Sequence, residues 1–170
     1  MDVIIQLVNG GDDLVSRVIR EVTGGPAHTR IFFPTDPGLT CETTRWGFLR
    51  SGHRQTVGEL PCDIRLRFKV PWTHDQIVEG VRISVEKTNT RAWYNFALTF
   101  FDLFLYPTRK FWAWRYRRTG KAPFYSPVMN CSADVDDIVK RAYGDLWPGE
   151  PESLTVPGDY LHCDALEVVG

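Results

Sequence analysis

The sequence predicts an α+β fold, a small antiparallel sheet packed against helices, on three observations. Short β-rich segments run from residue 3 to residue 70, helical periodicity takes over after Pro71, and no repeat or low-complexity linker divides the chain. With 170 residues, 43% hydrophobic content and 13% aromatics, the chain can bury a full core. It therefore reads as one domain spanning residues 1–170.

The elements follow in order. Val3 to Val8 is a short apolar strand ending at Asn9-Gly10-Gly11. Asp12 or Asp13 can cap a helix whose stripe is Leu14, Val15, Val18, Ile19 and Val22, and Gly24-Gly25-Pro26 stops it. AHTRIFF, the turn PTDPG and LTCETTRWGFL make residues 27–49 a hairpin. DIRLRFKV alternates Ile64, Leu66, Phe68 and Val70 with period two, which predicts a strand over 63–70.

Thr73 can then cap a helix through QIVEGVRISVEKT, and a second helical stretch begins near Arg91 with AWYNFALTFFDLFLY. Residues 106–125 read as irregular. In CSADVDDIVKRAYG the apolar residues Val135, Ile138, Val139, Ala142 and Tyr143 keep helical spacing, and Gly144 is a natural stop. The tail ends in a strand-like LHCDALEVV.

Twenty basic and twenty-one acidic side chains leave a net charge of −1, so no global field collects nucleic acid or an anionic membrane. The N-terminal MDVIIQLVNGGDD has an acid where a secretory signal needs a basic region, and its apolar run is too short. A cytoplasmic location is expected. Cys41, Cys62, Cys131 and Cys163 are scattered, without a CxxC pair or zinc spacing, so reduced thiols and neither a metal nor a cofactor are expected.

Cys131 lies one turn before Val135 at the start of its helix, where unpaired N–H groups and the dipole favour a thiolate. A buried, inert cysteine that happens to begin a helix would read the same way. Asp134, Asp136 and Asp137 suit a first turn but oppose a second negative charge. A base changes the balance: among His28, His53, His74 and His162, only His28 stands at the start of a strand after a Gly-Gly-Pro turn. Glu42, across the PTDPG turn, is the group that can orient the ring; Asp36, Asp63 or a backbone carbonyl are the alternatives.

The succession LVSRVIREVTGGPAHTRIFF, a turn, and CETTRWGF resembles the opening of the permuted papain-like hydrolases of the NlpC superfamily. That group includes YiiX-like and lecithin:retinol-acyltransferase-like proteins and many phage-encoded members. AWYNFALTF resembles their Y-D-x-x-G segment, and NCSADVDDIVKRAYGD their C-S-E-L-V-x-x-A-Y helix. The resemblance covers most of residues 1–145 and implies a permuted papain-like fold. It also implies His28 as base, Glu42 as third member and Cys131 as nucleophile, in the order His, acid, Cys. Ala27, Arg30 and Ala133-Asp134 depart from the pattern, and Arg30 lies on the same strand face as His28.

The implied activity is that of a thiol hydrolase, a cysteine peptidase or amidase acting on an amide or ester through an acyl-enzyme. The backbone N–H of Cys131 and Tyr94 are the candidate oxyanion donors. Peptide, isopeptide and acyl-lipid substrates stay open, as does acyl transfer in place of hydrolysis. For a phage-encoded member the location is host cytoplasm or virion.

FALTFFDLFLY is too short to span a bilayer, and Asp102 interrupts it. RKFWAWRYRR mixes cations with aromatics in the way that suits headgroups or stacked bases. We read it first as a solvated, snorkelling loop that shapes the cleft. Membrane-surface contact through residues 109–121 is left open, and nucleic acid is not expected. A catalytically silent binding module, marked by an inert Cys131 or an Arg30–Glu42 salt bridge, and an interaction protein acting through residues 109–121 are the two competing readings.

Overall fold

The computed structural model describes residues 2–11, 14–46, 50–88, 106–121, 131–150 and 155–169. Six strands form one antiparallel sheet: β1 (Ile4–Val8), β2 (His28–Phe33), β3 (Leu39–Trp46), β4 (Arg50–Val57), β5 (Ile64–Phe68) and β6 (Leu166–Val169). Their spatial order is β4-β3-β2-β1-β5-β6. Among the described residues the helices are α1 (Leu14–Thr23), α2 (His74–Thr88), α3 (Arg109–Thr119) and α4 (Cys131–Ala142), with short 3-10 helices at Tyr106–Thr108 and Pro157–His162. The α+β class predicted from the sequence is the class observed.

Period-two burial explains which face carries the core. In β2, Thr29, Ile31 and Phe33 are fully buried, whereas His28, Arg30 and Phe32 are partly exposed. The buried set joins Ile5, Leu7, Cys41, Leu66 and Phe68 of the neighbouring strands and Ile83 of α2. Val135, Ile138 and Val139 bring α4 onto the same face. At about 25 cal/mol per Å² of apolar surface, each such side chain contributes about 1.5–3 kcal/mol when withdrawn from water.

The opposite face is covered by a chain crossing. β4 is an edge strand and β5 lies beyond β1, so the link between them must traverse β3, β2 and β1. Residues 58–63 make this strap. Gln6 donates to the Leu60 carbonyl at 3.2 Å and Arg30 to the Pro61 carbonyl at 3.2 Å. The strap covers Gln6, and Glu42 is buried beside Arg30, although both point away from the helices.

Four features differ from the sequence reading. Residues 50–57, assigned no element from the sequence, form β4. The strand predicted over 63–70 stops at Phe68, and Val70 is exposed. The tail's strand is confined to Leu166–Val169, because Pro157–His162 winds into a 3-10 helix. Part of the stretch read as irregular is helical: Arg109–Thr119 contains no Gly or Pro, and Gly120 closes it in the left-handed conformation, its N–H bonded to the Tyr116 carbonyl at 2.8 Å.

The cap expected at Thr73 is present as a capping box, with Gln76 N–H donating to Thr73 Oγ1 and Thr73 N–H to Gln76 Oε1. Asp12, Asp13 and the helix expected from Arg91 lie outside the described residues.

Candidate active site

His28 is the first residue of β2 and Cys131 the first residue of α4. The two elements are stitched together one residue further on, where the Thr29 and Ser132 hydroxyls lie 3.2 Å apart. The phenol of Tyr160 donates to the Ser132 carbonyl at 3.0 Å, holding the same turn from the 3-10 helix. That helix comes close because Gly25 faces Gly158: a Cβ on residue 25 would stand 2.8 Å from the Gly158 Cα. Thr29, Ser132 and Tyr160 were missed by the sequence reading.

Glu42 reaches the site through strand register. Ile31 pairs with Cys41, so the same register sets Glu42 opposite Arg30, with His28 diagonal to it. His28 Nε2 lies 2.8 Å from Glu42 Oε2. Arg30 Nε donates to that same oxygen at 2.6 Å. The alternatives fall away on geometry: Asp63 accepts the Asn9 N–H at 2.7 Å, and Asp36 sits in the turn at the far end of β2.

The Cys131 thiol, which is partly exposed, is the other charge partner of His28. Burial penalises the thiolate, but the charge and hydrogen bond of His28, with the Thr29 backbone and the Ser132 hydroxyl, bring Cys131 below the ordinary thiol value. Burial equally opposes the imidazolium, yet the thiolate and Glu42 carry His28 up to about 9. Desolvation disfavours the Glu42 carboxylate, and His28 and Arg30 outweigh it, holding the group at about 2. The arrangement favours a thiolate–imidazolium pair at neutral pH, whose titration belongs to the pair.

The other three cysteines contrast with this. All four thiols are free. Burial pushes Cys41 up to about 12 and raises Cys62 and Cys163 as well. Tyr94, the further oxyanion donor expected from the sequence, lies outside the described residues. A hollow of about 550 Å³ lined by Ile4, Phe32, Pro34, Arg65 and Arg67 lies toward the other end of β2 from His28, apart from this constellation.

Beneath the helix start is a second polar cluster that the sequence reading also missed. Asp134 Oδ2 lies 2.6 Å from His53 Nδ1 and accepts the Thr43 hydroxyl; its Oδ1 lies 3.1 Å from Lys87 Nζ. His53 Nε2 contacts the Ser84 hydroxyl, which also donates to Cys41 Sγ at 3.0 Å. Carboxylate, imidazole and hydroxyl follow one another as in a serine hydrolase. Ser84 is fully buried, however, and a hydroxyl without exposed surface meets no substrate. The cluster ties β3, β4, α2 and α4 together. It also compensates Asp134, whose charge, read from sequence as opposing a thiolate, is offset by Lys87.

Arg30 sets up a testable competition. Its cation repels the His28 imidazolium and shares the oxygen that stabilises it. Arg30→Met is expected to raise the His28 pKa by about one pH unit, read by NMR titration of the ring protons. A fall would mean that Arg30 instead holds Glu42 in place for His28.

Compared with models of known protein families, with curated proteins and with solved structures, the chain matches none.

Proposed function

We propose that this chain is a thiol hydrolase on a permuted papain-like fold, with Cys131 as nucleophile, His28 as acid–base group and Glu42 as the residue that orients the imidazole. One observation carries the reading: a partly exposed cysteine at a helix start, a histidine at a strand start and a buried glutamate on the next strand converge, the glutamate hydrogen-bonded to the histidine and the histidine acting on the thiol.

The chemistry follows from those positions. The thiolate attacks an amide or ester carbonyl and forms a carbon–sulfur bond, while the backbone N–H at the start of α4 meets the developing oxyanion. The C–N or C–O bond breaks as His28 gives its proton to the leaving group. Water then attacks the thioester, His28 takes the proton from that water, and the acid leaves as the thiolate is restored. An amine or alcohol in place of water would make the same site an acyltransferase.

The Arg30–Glu42 contact favours a second reading, a silent binding module. Against it, the contact leaves the His28–Glu42 bond in place at 2.8 Å.

Acylation decides between the two. With a p-nitrophenyl ester, peptide mass spectrometry is expected to find the acyl group on Cys131, released over time in water. Acyl on Cys62 or Cys163 instead, or on no thiol, would sink the hydrolase reading.

A further inference from the structure

Residues 106–121 contain six cations, Arg109, Lys110, Arg115, Arg117, Arg118 and Lys121, and no acid, within a chain of net charge −1. Helical spacing sorts the side chains of α3 into two stripes. On the inner one Ala113 is buried, Trp112 and Tyr116 are partly buried, and Arg109 is bound to Asp159 of the 3-10 helix. The outer one carries Phe111, 54% exposed, and Trp114, 45% exposed, with ring centroids 5.8 Å apart. Lys110, Arg117 and Arg118 are exposed beside them.

Two large aromatics held in water and flanked by cations suit a surface that is apolar below and anionic above. Nucleic acid would need the ring faces for base stacking. The outer Trp114 already carries a cation, the Arg118 guanidinium 4.6 Å from its ring centroid, and on the inner stripe Arg115 lies 5.2 Å from the Trp112 centroid. At a headgroup layer such a cation–ring pair can stay intact, with the ring at the acyl boundary and the cation against phosphate. Among the described residues no helix is long and apolar enough to cross a membrane, so α3 would lie along the surface.

We propose that the outer stripe of α3 docks this protein on bilayers containing anionic lipid, through Phe111 and Trp114 together with Lys110, Arg117 and Arg118. The inference goes beyond the hydrolase reading and does not depend on it. The Arg109–Asp159 pair couples the docked helix to the segment whose Tyr160 holds the start of α4.

Co-sedimentation tests it, using phosphatidylcholine vesicles with roughly a third phosphatidylserine against phosphatidylcholine alone, at about 0.1 M and about 1 M salt. Binding is expected on the anionic vesicles, at least about tenfold weaker on neutral ones, and reduced at high salt. Phe111→Ser with Trp114→Ser keeps every cation and is expected to lose about tenfold, as is Arg117→Gln with Arg118→Gln, which keeps both rings. Unchanged circular dichroism and Cys131 alkylation would show that both variants are folded, and Cys131→Ser is expected to bind like the parent. Equal binding to neutral vesicles, no loss in the variants, no sedimentation at all, or displacement from vesicles by a single-stranded oligonucleotide would each overturn the proposal.

Discussion

His28→Ala is expected to slow acylation of Cys131 by about three orders of magnitude, within the range that a positioned acid–base group supplies. Two losses combine. Without the imidazolium, burial acts on the thiol unopposed by its main charge partner, so the thiolate fraction at neutral pH falls. The leaving group also loses its proton donor. Measured with an activated ester the deficit should be smaller than with an amide, because a nitrophenolate leaves without a proton. Equal deficits on both substrates would contradict the assigned role.

Asp134→Ala is expected to destabilise the fold by about 3–5 kcal/mol, the cost of removing one partner from a buried ion pair. For a chain of this size that lowers the melting temperature by roughly 10 °C. The reason is local: His53, its side chain 3% exposed, would lose its carboxylate, and Lys87, 10% exposed, would lose one carboxylate and keep Asp137 at 2.7 Å. Asp134→Asn keeps hydrogen-bonding capacity toward His53 and the Thr43 hydroxyl and should cost less. Calorimetry or urea titration measures the difference, and a loss below about 1 kcal/mol would mean that the cluster does not hold α4 as described.

How much of the fold and site is legible in the sequence depends on how each element stabilises itself. Cys131 and His28 were legible because punctuation marks their positions: a Gly-Gly-Pro turn before the strand, and an apolar stripe beginning one turn after the cysteine. The strand β4 was not legible, since RSGHRQTV has no apolar alternation. Its His53 and Gln55 face a polar cluster and bond Ser84 in place of packing against hydrophobes. No local pattern encodes that partner, which lies on a helix well along the chain.

The same limit hid α3. A helix whose inner face rests on Trp112, Ala113 and Tyr116, and whose outer face exposes Phe111 and Trp114, shows no single apolar stripe. Thr29 was the nearest miss in the site. It follows His28, and the alternation of its strand turns it toward the helices, where Ser132 meets it. Tyr160 offered no signal, because the approach of its segment depends on the distant pair Gly25 and Gly158.

Whether Cys131 and His28 form an ion pair is read from the pH profile of iodoacetamide alkylation. Peptide mass spectrometry of the folded protein reads all four cysteines in one sample. Cys131 is expected to react with an apparent pKa below the roughly 8.5 of a free thiol, while Cys41, Cys62 and Cys163 react above it, and His28→Ala is expected to abolish the difference. A Cys131 that titrates with the other three, unchanged by His28→Ala, would contradict the ion pair.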